Sequence, residues 1–308
     1  MTLGEWIPQY LASYKLNTIK VNSYYSLELV ERQIPQSLKD MDITEILPMH
    51  IQRFYNEFAL NHSKSYMDKL RVFMNGLFST AIDNGFCSRN PTNHLKIPRI
   101  KETPRESFTL EEVRTILDFA MVYENQRIGV AIITLLLTGI RRGELLGLKP
   151  SDITDNTLTI NRAVYLEHNK PCVQEHEAKT ENSLRVVPLI PELAHRLKTL
   201  PHKGEYLFST KNGTLLHPRN FSRDYNTFFK RLRDVEPDVR RLSPHCCRHT
   251  FATLTRESGA DMRVLQELLG HSDIKTTARY SHADMNSMQD AVQSLRAKIV
   301  TENHFLHH

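Results

Sequence analysis

Apolar side chains recur at three- and four-residue spacing along most of the chain, the period of a helix with one buried face. Trp6, Ile7, Tyr10 and Tyr14 form the first such stripe, and Tyr24, Leu27 and Val30 the second. Pro35 breaks the chain, and Pro48 opens a third helix that carries Ile51, Phe54, Tyr55 and Phe58. A fourth runs from Tyr66 to Ile82 with Leu70, Phe73, Leu77 and Phe78 on one side, until Asn84-Gly85 stops it. Four stripes of this kind predict a small helical bundle over residues 1–87.

From 88 to 107 the periodicity disappears. Asn90-Pro91, Pro98 and Pro104 alternate with Arg89, Lys96, Arg99, Lys101 and Arg105, which reads as a basic, semi-rigid linker. Any interdomain tether has this composition; a positive strap across a phosphate backbone has it too. On the second reading Arg99, Lys101 and Arg105 are the candidate DNA contacts.

A second domain is expected over 108–308. It opens on Thr109-Leu-Glu-Glu112, a capping box in which Thr109 caps and Glu112 reaches back. Two helices follow, ending at Thr138-Gly139. The only β-rich stretch comes next: Thr157–Ile160 and Val164–Leu166 alternate, and Arg185–Leu189 closes a three-stranded antiparallel meander. Helices resume at Pro191, Pro218, Pro244, Asp261 and Ser272, with a last one over about 284–299. The fold class is mainly α with one small antiparallel sheet.

Composition narrows the function. The chain has 308 residues, 40% of them hydrophobic, which is ample for real cores and excludes a disordered polymer. The longest apolar run, Val130–Ile140, is too short to span a bilayer, and Met1-Thr-Leu-Gly-Glu5 lacks the features of a secretory signal. Neither a membrane partner nor export is therefore expected. Four cysteines, two of them adjacent at 246 and 247, make no disulfide framework and suit a reducing compartment. A net charge of +5 is too mild to announce a nucleic-acid partner. That inference must come from where particular residues stand.

Ser243 and Pro244 start a helix in the N-cap and N1 positions, which puts His245 at N2 and Arg248 on the same face. The free N–H groups and positive dipole end there favour an anion. A capped helix with solvated charges would look the same. His245 and His249, four apart with two cysteines between them, also suggest a metal, but Arg248 on the histidine face repels a cation. Thr138-Gly-Ile-Arg-Arg-Gly-Glu144 sets Arg141 at a helix junction and Glu144 where it can brace an arginine; alone this is a polar turn over a core. Lys179 lies on a hairpin, His271 between a Gly C-cap and a Ser cap, and Tyr280 near a helix end. Each of these has an ordinary structural explanation.

Their order does not. Thr-Gly-Ile-Arg141-x-x-Glu144, Lys179-Thr, His245-x-x-Arg248-His-Thr, Leu-Gly-His271 and Tyr280-Ser-His together resemble the tyrosine recombinase (phage integrase) family, of the mobile-element integrase type. The match runs through about 108–284, and the helices of 1–86 look like the core DNA-binding domain that precedes it in that family. The resemblance implies a site-specific recombinase that cuts and rejoins double-stranded DNA at attachment sites through a 3′-phosphotyrosine and a Holliday junction. Tyr280 would be the nucleophile, Arg141 and Arg248 the phosphate clamp, His245 and His271 hydrogen-bond donors that manage the tyrosine proton, Lys179 the general acid, and Glu144 a brace for an arginine.

The chemistry of the residues agrees with that assignment. A tyrosine with pKa near ~10 needs cationic neighbours to act as a nucleophile. Those cations also fill the role that Mg²⁺ has in other phosphoryl transfers, so no cofactor and no metal are expected. The resemblance further implies a homotetramer in the synapse, accessory proteins that set direction or bend DNA, and a cytoplasmic setting. The final helix, with Met285, Met288, Val292, Leu295 and Ile299 on one stripe, would pack either on a neighbouring subunit or on its own domain. Cys247 stands where the family commonly has leucine, Arg142 beside Arg141 leaves the catalytic arginine to be chosen by spacing, and no room is left for an N-terminal arm-binding domain. Three alternatives remain: a type IB topoisomerase, a catalytically silent DNA-binding relative, and a metal-dependent nuclease built on the histidines.

Overall fold

The structure is a computed structural model that describes residues 1–19, 21–100, 106–167, 169–175, 184–270 and 285–300. The chain divides into two compact units, Met1–Pro104 and Arg105–His308. Among the described residues, no helix is long and apolar enough to cross a membrane.

The first unit contains helices α1 (Leu3–Tyr10), α2 (Val21–Glu31), α3 (Gln36–Lys39), α4 (Pro48–Asn61) and α5 (Lys64–Asp83). Each expected stripe finds the core: Trp6, Ile7 and Tyr10 of α1, Ile51 to Phe58 of α4, and Leu70, Phe73, Leu77 and Phe78 of α5 are buried. The indole N–H of Trp6 donates to the carbonyl of Leu77 at 3.0 Å, so the first helix is keyed to the last. The expected linker is shorter than its composition suggested. Asn90 donates to the Asn75 carboxamide at 3.1 Å, Gln52 exchanges two hydrogen bonds with the Lys96 backbone, and Leu95 and Ile100 pack against the core. Residues 88–100 therefore belong to the first unit, held by side-chain amides that carry no periodic signal.

The second unit is organised around α7 (Gln126–Thr138), whose residues from Ile128 onward are all buried. It packs against α6 (Leu110–Val122), α8 (Arg142–Leu146), α9 (Pro191–Thr199), α10 (Pro218–Val235) and α11 (Pro244–Glu257). The apolar run singled out in the sequence is thus a core helix. The Thr109–Glu112 capping box forms as expected: the Thr109 hydroxyl accepts from the Glu112 N–H at 3.2 Å, and the Glu112 carboxylate accepts from the Thr109 N–H at 2.7 Å. Glu112 also takes two guanidinium bonds from Arg240. Burial opposes its ionisation, but Arg240 and the cap hold its carboxyl down at about 2. Thr109→Ala is expected to cost about 1 kcal/mol in denaturant unfolding, the usual worth of such a cap.

The sheet differs from the expected three-stranded meander. Among the described residues there are four strands in two antiparallel pairs: β1 (Thr157–Ile160) with β4 (Arg185–Pro188), and β2 (Arg162–Glu167) with β3 (Lys170–Glu175). The register sets Ile160 opposite Arg185 and Arg162 opposite Glu175. β3 carries Pro171 and charged ends; as one arm of a two-stranded hairpin it has an unpaired edge that tolerates them.

Helices α12 (Met262–Leu269) and α13 (Met285–Ile299) complete the unit. The stripe of α13 does not stand free for a neighbour. Met288, Val292, Leu295 and Ile299 are buried, and α13 packs against α6, α11, α12 and β4 of the same unit. Arg114 caps its last turn, donating to the carbonyls of Ile299 and Lys298 at 2.9 and 2.8 Å, and Arg296 pairs with Glu192 at 2.6 Å. Of the two packings open from sequence, the single chain shows the one on its own domain.

Candidate active site

The site is built where α7 ends and α8 begins. Gly139 closes α7 at φ +63°, and a Cβ there would lie 2.4 Å from the Phe251 ring, so both the conformation and the close approach demand glycine. The chain then turns through Ile140 and presents Arg141 as the N-cap of α8. One turn on, Glu144 is almost fully buried, and its two oxygens carry the geometry. One accepts the Arg141 backbone N–H at 2.7 Å, and the other accepts an Arg141 guanidinium N–H at 2.8 Å. Arg142 points elsewhere, donating to the Ser222 hydroxyl on α10 at 2.9 Å. Of the two neighbours it is Arg141 that joins Glu144.

A third arginine joins them. Arg185, at the head of β4, grips both oxygens of Glu144 at 3.1 and 2.8 Å. Arg248, from α11, donates to the Gly139 carbonyl at 2.9 Å and to the Leu269 carbonyl. The end of α12 ties the cluster together. Its successive carbonyls have no partner within the helix, and each is met by a different arginine: Leu268 by Arg185, Leu269 by Arg248 and Gly270 by Arg141. The carbonyl end of a helix is the negative end of its dipole, and this is where three cations are stable side by side.

The electrostatics follow from this crowding. Burial alone would push the Glu144 carboxyl up; hydrogen bonds and charge from Arg185, with Arg141 behind them, hold it at about 2. Arg248 shows the opposite strain. Burial, with the charges of Arg141 and Arg185, pushes its guanidinium down to about 9, and Glu144 pulls the other way. One carboxylate among three guanidiniums leaves a surplus of positive charge. Arg141, its side chain 47% exposed, faces outward, whereas the side chains of Arg185 and Glu144 are 7% and 2% exposed. The arrangement suits an anion that arrives at Arg141 and replaces its long, 3.3 Å bond to Gly270.

His245 stands exposed in the first turn of α11, one turn before Arg248, and its ring meets that of His249 edge to face at 4.7 Å. The Ser243 hydroxyl, at the N-cap position, faces the Cys246 thiol at 3.4 Å. Cys247 is wholly buried, which pushes its thiol up to about 12, so it serves as an apolar filler. Lys179, His271 and Tyr280 lie outside the described residues, as do Lys101 and Arg105, and Arg99 is exposed on the first unit. The structure thus gathers Arg141, Glu144 and Arg248, and sets His245 on the helix that delivers Arg248.

The model of the phage integrase family matches residues 106–287, and that of the phage integrase N-terminal SAM-like domain matches residues 2–59. The chain belongs to the phage integrase family. A tyrosine recombinase XerC-like protein of Caldanaerobacter subterraneus subsp. tengcongensis is 31% identical over 292 residues, covering 84% of this chain and 73% of that protein. A tyrosine recombinase XerD of Rickettsia bellii is 27% identical over 290 residues, covering 92% and 90%. In fold the chain is similar to the Tn1549 transposon integrase solved with a circular intermediate DNA, at TM-score 0.78 and 20% identity over 96% of this chain and 99% of that one. It is also similar to the λ integrase solved as a tetramer on a Holliday junction, at TM-score 0.65 and 20% identity over 92% and 81%.

Two features of this phage integrase family member were missed in the sequence. Arg185 is the first: in β4 the inward face carries Val187, and alternation puts Arg185 on the same face. A charge pointing inward needs a buried partner, and that was the available signal. The second is a cleft of about 820 Å³ along α10, beside Arg142. Phe221, Tyr225, Phe228 and Phe229 turn one face of α10 to the core, which leaves Arg219, Arg223, Lys230 and Arg233 along the opening, with Arg241 opposite. Along α10 five cations stand against two acids, Asp224 and Asp234, but the small net charge of the whole chain hides that excess; the alignment appears only once the helix is docked.

Proposed function

We propose that this tyrosine recombinase cuts and rejoins DNA at specific sites for integration or excision of a mobile element. The observation that carries the reading is the meeting of Arg141, Arg185 and Arg248 at the carbonyl end of α12, with one buried carboxylate among them. Such a cluster stabilises a dianionic or more highly charged group, and a phosphodiester under attack becomes one. Arg141 and Arg248 would hold the non-bridging oxygens of the scissile phosphate. The phenol oxygen of Tyr280 would bond to phosphorus as the P–O5′ bond breaks, its proton passing to a base for which His245 and His271 are placed by sequence. Lys179 would give a proton to the departing 5′-oxygen. The 3′-phosphotyrosine keeps the energy of the broken bond, so the 5′-hydroxyl of a second strand can reverse the step without ATP.

Double-stranded DNA attachment sites are the partner this requires, and the α10 cleft supplies a path for phosphates beside the site. Replacing Arg219 and Arg223 together by alanine is expected to flatten the slope of log K against log salt by about 2, one for each lost phosphate contact, with cleavage at saturating DNA retained. The synaptic form would be a homotetramer, with accessory proteins setting direction, working in the cytoplasm on the nucleoid. An exchange of α13 between subunits would first break the Arg114, Arg296 and Lys298 contacts that dock it.

The test is incubation of the full chain with a pool of nicked suicide duplexes with randomised cores, in excess EDTA. A covalent protein–DNA adduct that survives detergent and carries a defined core sequence supports the reading. Adducts without sequence preference, with relaxation of supercoils, would favour a topoisomerase; no adduct at all would end it.

A further inference from the structure

We propose that Arg185 is a positioning residue for strand cleavage: it ties the carboxylate that aims Arg141 to the carbonyl end of α12, where the chain leading to His271 and Tyr280 departs. The proposal rests on the recombinase reading and adds a residue to it.

The geometry is that of a strut. Both terminal nitrogens of Arg185 are spent on the two oxygens of Glu144, at 3.1 and 2.8 Å, and its Nε donates to Leu268 at 3.1 Å. The fork is planar and rigid, so fixing three of its donors fixes Glu144 against α12. The remaining capacity of Glu144 goes to Arg141, main chain and side chain. The direction of the exposed Arg141 guanidinium is therefore set by an arginine that is itself buried. Arg185 also begins β4, the strand that follows the segment containing Lys179. Glu144 with its partner Arg141, and the end of α12, thus meet on one side chain.

A purely stabilising role accounts for less. Buried ion pairs are often neutral for stability when replaced by apolar residues of like volume, whereas here two donors of a planar fork on Glu144 and a third on the Leu268 carbonyl fit an orienting task. The charge of Arg185 also acts on Arg248, adding to the positive field that the phosphate meets.

The experiment uses the duplex recovered from wild-type adducts in the pool described above. Adduct formation is followed in a single turnover against DNA concentration, for wild type, Arg185→Lys and Arg185→Met. A second duplex carries a methylphosphonate at the scissile position, where a methyl group replaces one non-bridging oxygen and removes the charge the arginines hold. For Arg185→Lys the rate constant is expected to fall about 100-fold, the cost of a misplacement near 1 Å, with half-saturating DNA within about threefold of wild type. On the methylphosphonate the deficit should shrink by about tenfold, because a misaimed clamp matters less where there is less charge to clamp. Arg185→Met should show the same pattern more strongly; should it fail to fold, Arg185→Lys, which keeps the charge, carries the test alone.

Equal losses on both duplexes would mean general structural damage and overturn the proposal, as would a rate constant within threefold of wild type or a loss confined to DNA affinity. If the wild type forms no adduct, or Tyr280→Phe still forms it, the recombinase reading itself falls. A Tyr280-dependent wild-type adduct with unimpaired Arg185 variants refutes the positioning role alone.

Discussion

Tyr280→Phe is expected to abolish the covalent adduct and to lower strand cleavage by at least about 10⁴-fold, while DNA affinity stays within about threefold. A nucleophile that forms the only covalent link in a two-step transfer cannot be bypassed, and losses of this order follow when such a group is removed from an intact site. The change deletes one oxygen and leaves the ring, so packing is preserved. The described chain on either side of the segment that carries Tyr280 is anchored. Gly270, at the end of α12, is held by Arg141, and its neighbours by Arg248 and Arg185. Met285 begins α13, which is docked on α11, α12 and β4. The measurement is gel detection of the adduct on the suicide duplex, paired with a binding titration. A persistent adduct in Tyr280→Phe would move the nucleophile elsewhere.

The parts of this fold that were legible in the sequence are those where burial imposes a period. The stripes of α4 and α5, the core helix α7 and the Thr109–Glu112 cap stand where the pattern put them, because each is fixed by near neighbours in the chain. Long-range polar contacts are what the pattern does not encode. Residues 88–100 read as a free tether because nothing in Asn90 or Lys96 announces Asn75 or Gln52 as partners. One sheet became two pairs because alternation shows where strands lie and not which of them pair. The stripe of α13 was visible, but its partner was not, since an apolar face fits its own domain and a neighbour's equally well.

The site divides the same way. Arg141, Glu144, His245 and Arg248 were found through the order of their motifs, and the structure brings the first two and Arg248 onto one helix end. Arg185 escaped because it belongs to no motif; it is a long-range partner of Glu144, 41 residues away. The basic face of α10 escaped because the small net charge of the whole chain hides a local excess of five cations over two acids, and only the docking of its aromatic face shows which ones line the cleft.

Glu144 is the position at which loss of one side chain should damage stability most. Glu144→Ala is expected to destabilise the chain by about 3–5 kcal/mol in denaturant unfolding, the cost of breaking a buried pair and leaving its partner charged. Here two arginines lose that carboxylate at once: Arg185 its bidentate partner, and Arg141 the acceptor for both its main chain and its guanidinium. Glu144→Gln, similar in shape but neutral, isolates the electrostatic part through its dependence on pH. The carboxyl is held at about 2 in the folded chain against an ordinary 4.5, so folding favours its ionised form. Its contribution is therefore complete above about 4.5 and disappears as pH falls through about 2. At 1.36 kcal/mol for each pH unit of displacement, the full contribution is about 3 kcal/mol. The stability gap between wild type and Glu144→Gln should accordingly be flat from neutral pH down to about 5, then close progressively below it. A gap that stayed constant down to pH 2 would mean that the carboxylate's charge is not what holds Arg141 and Arg185 together, and a gap that widened on acidification would reverse the sign of the argument.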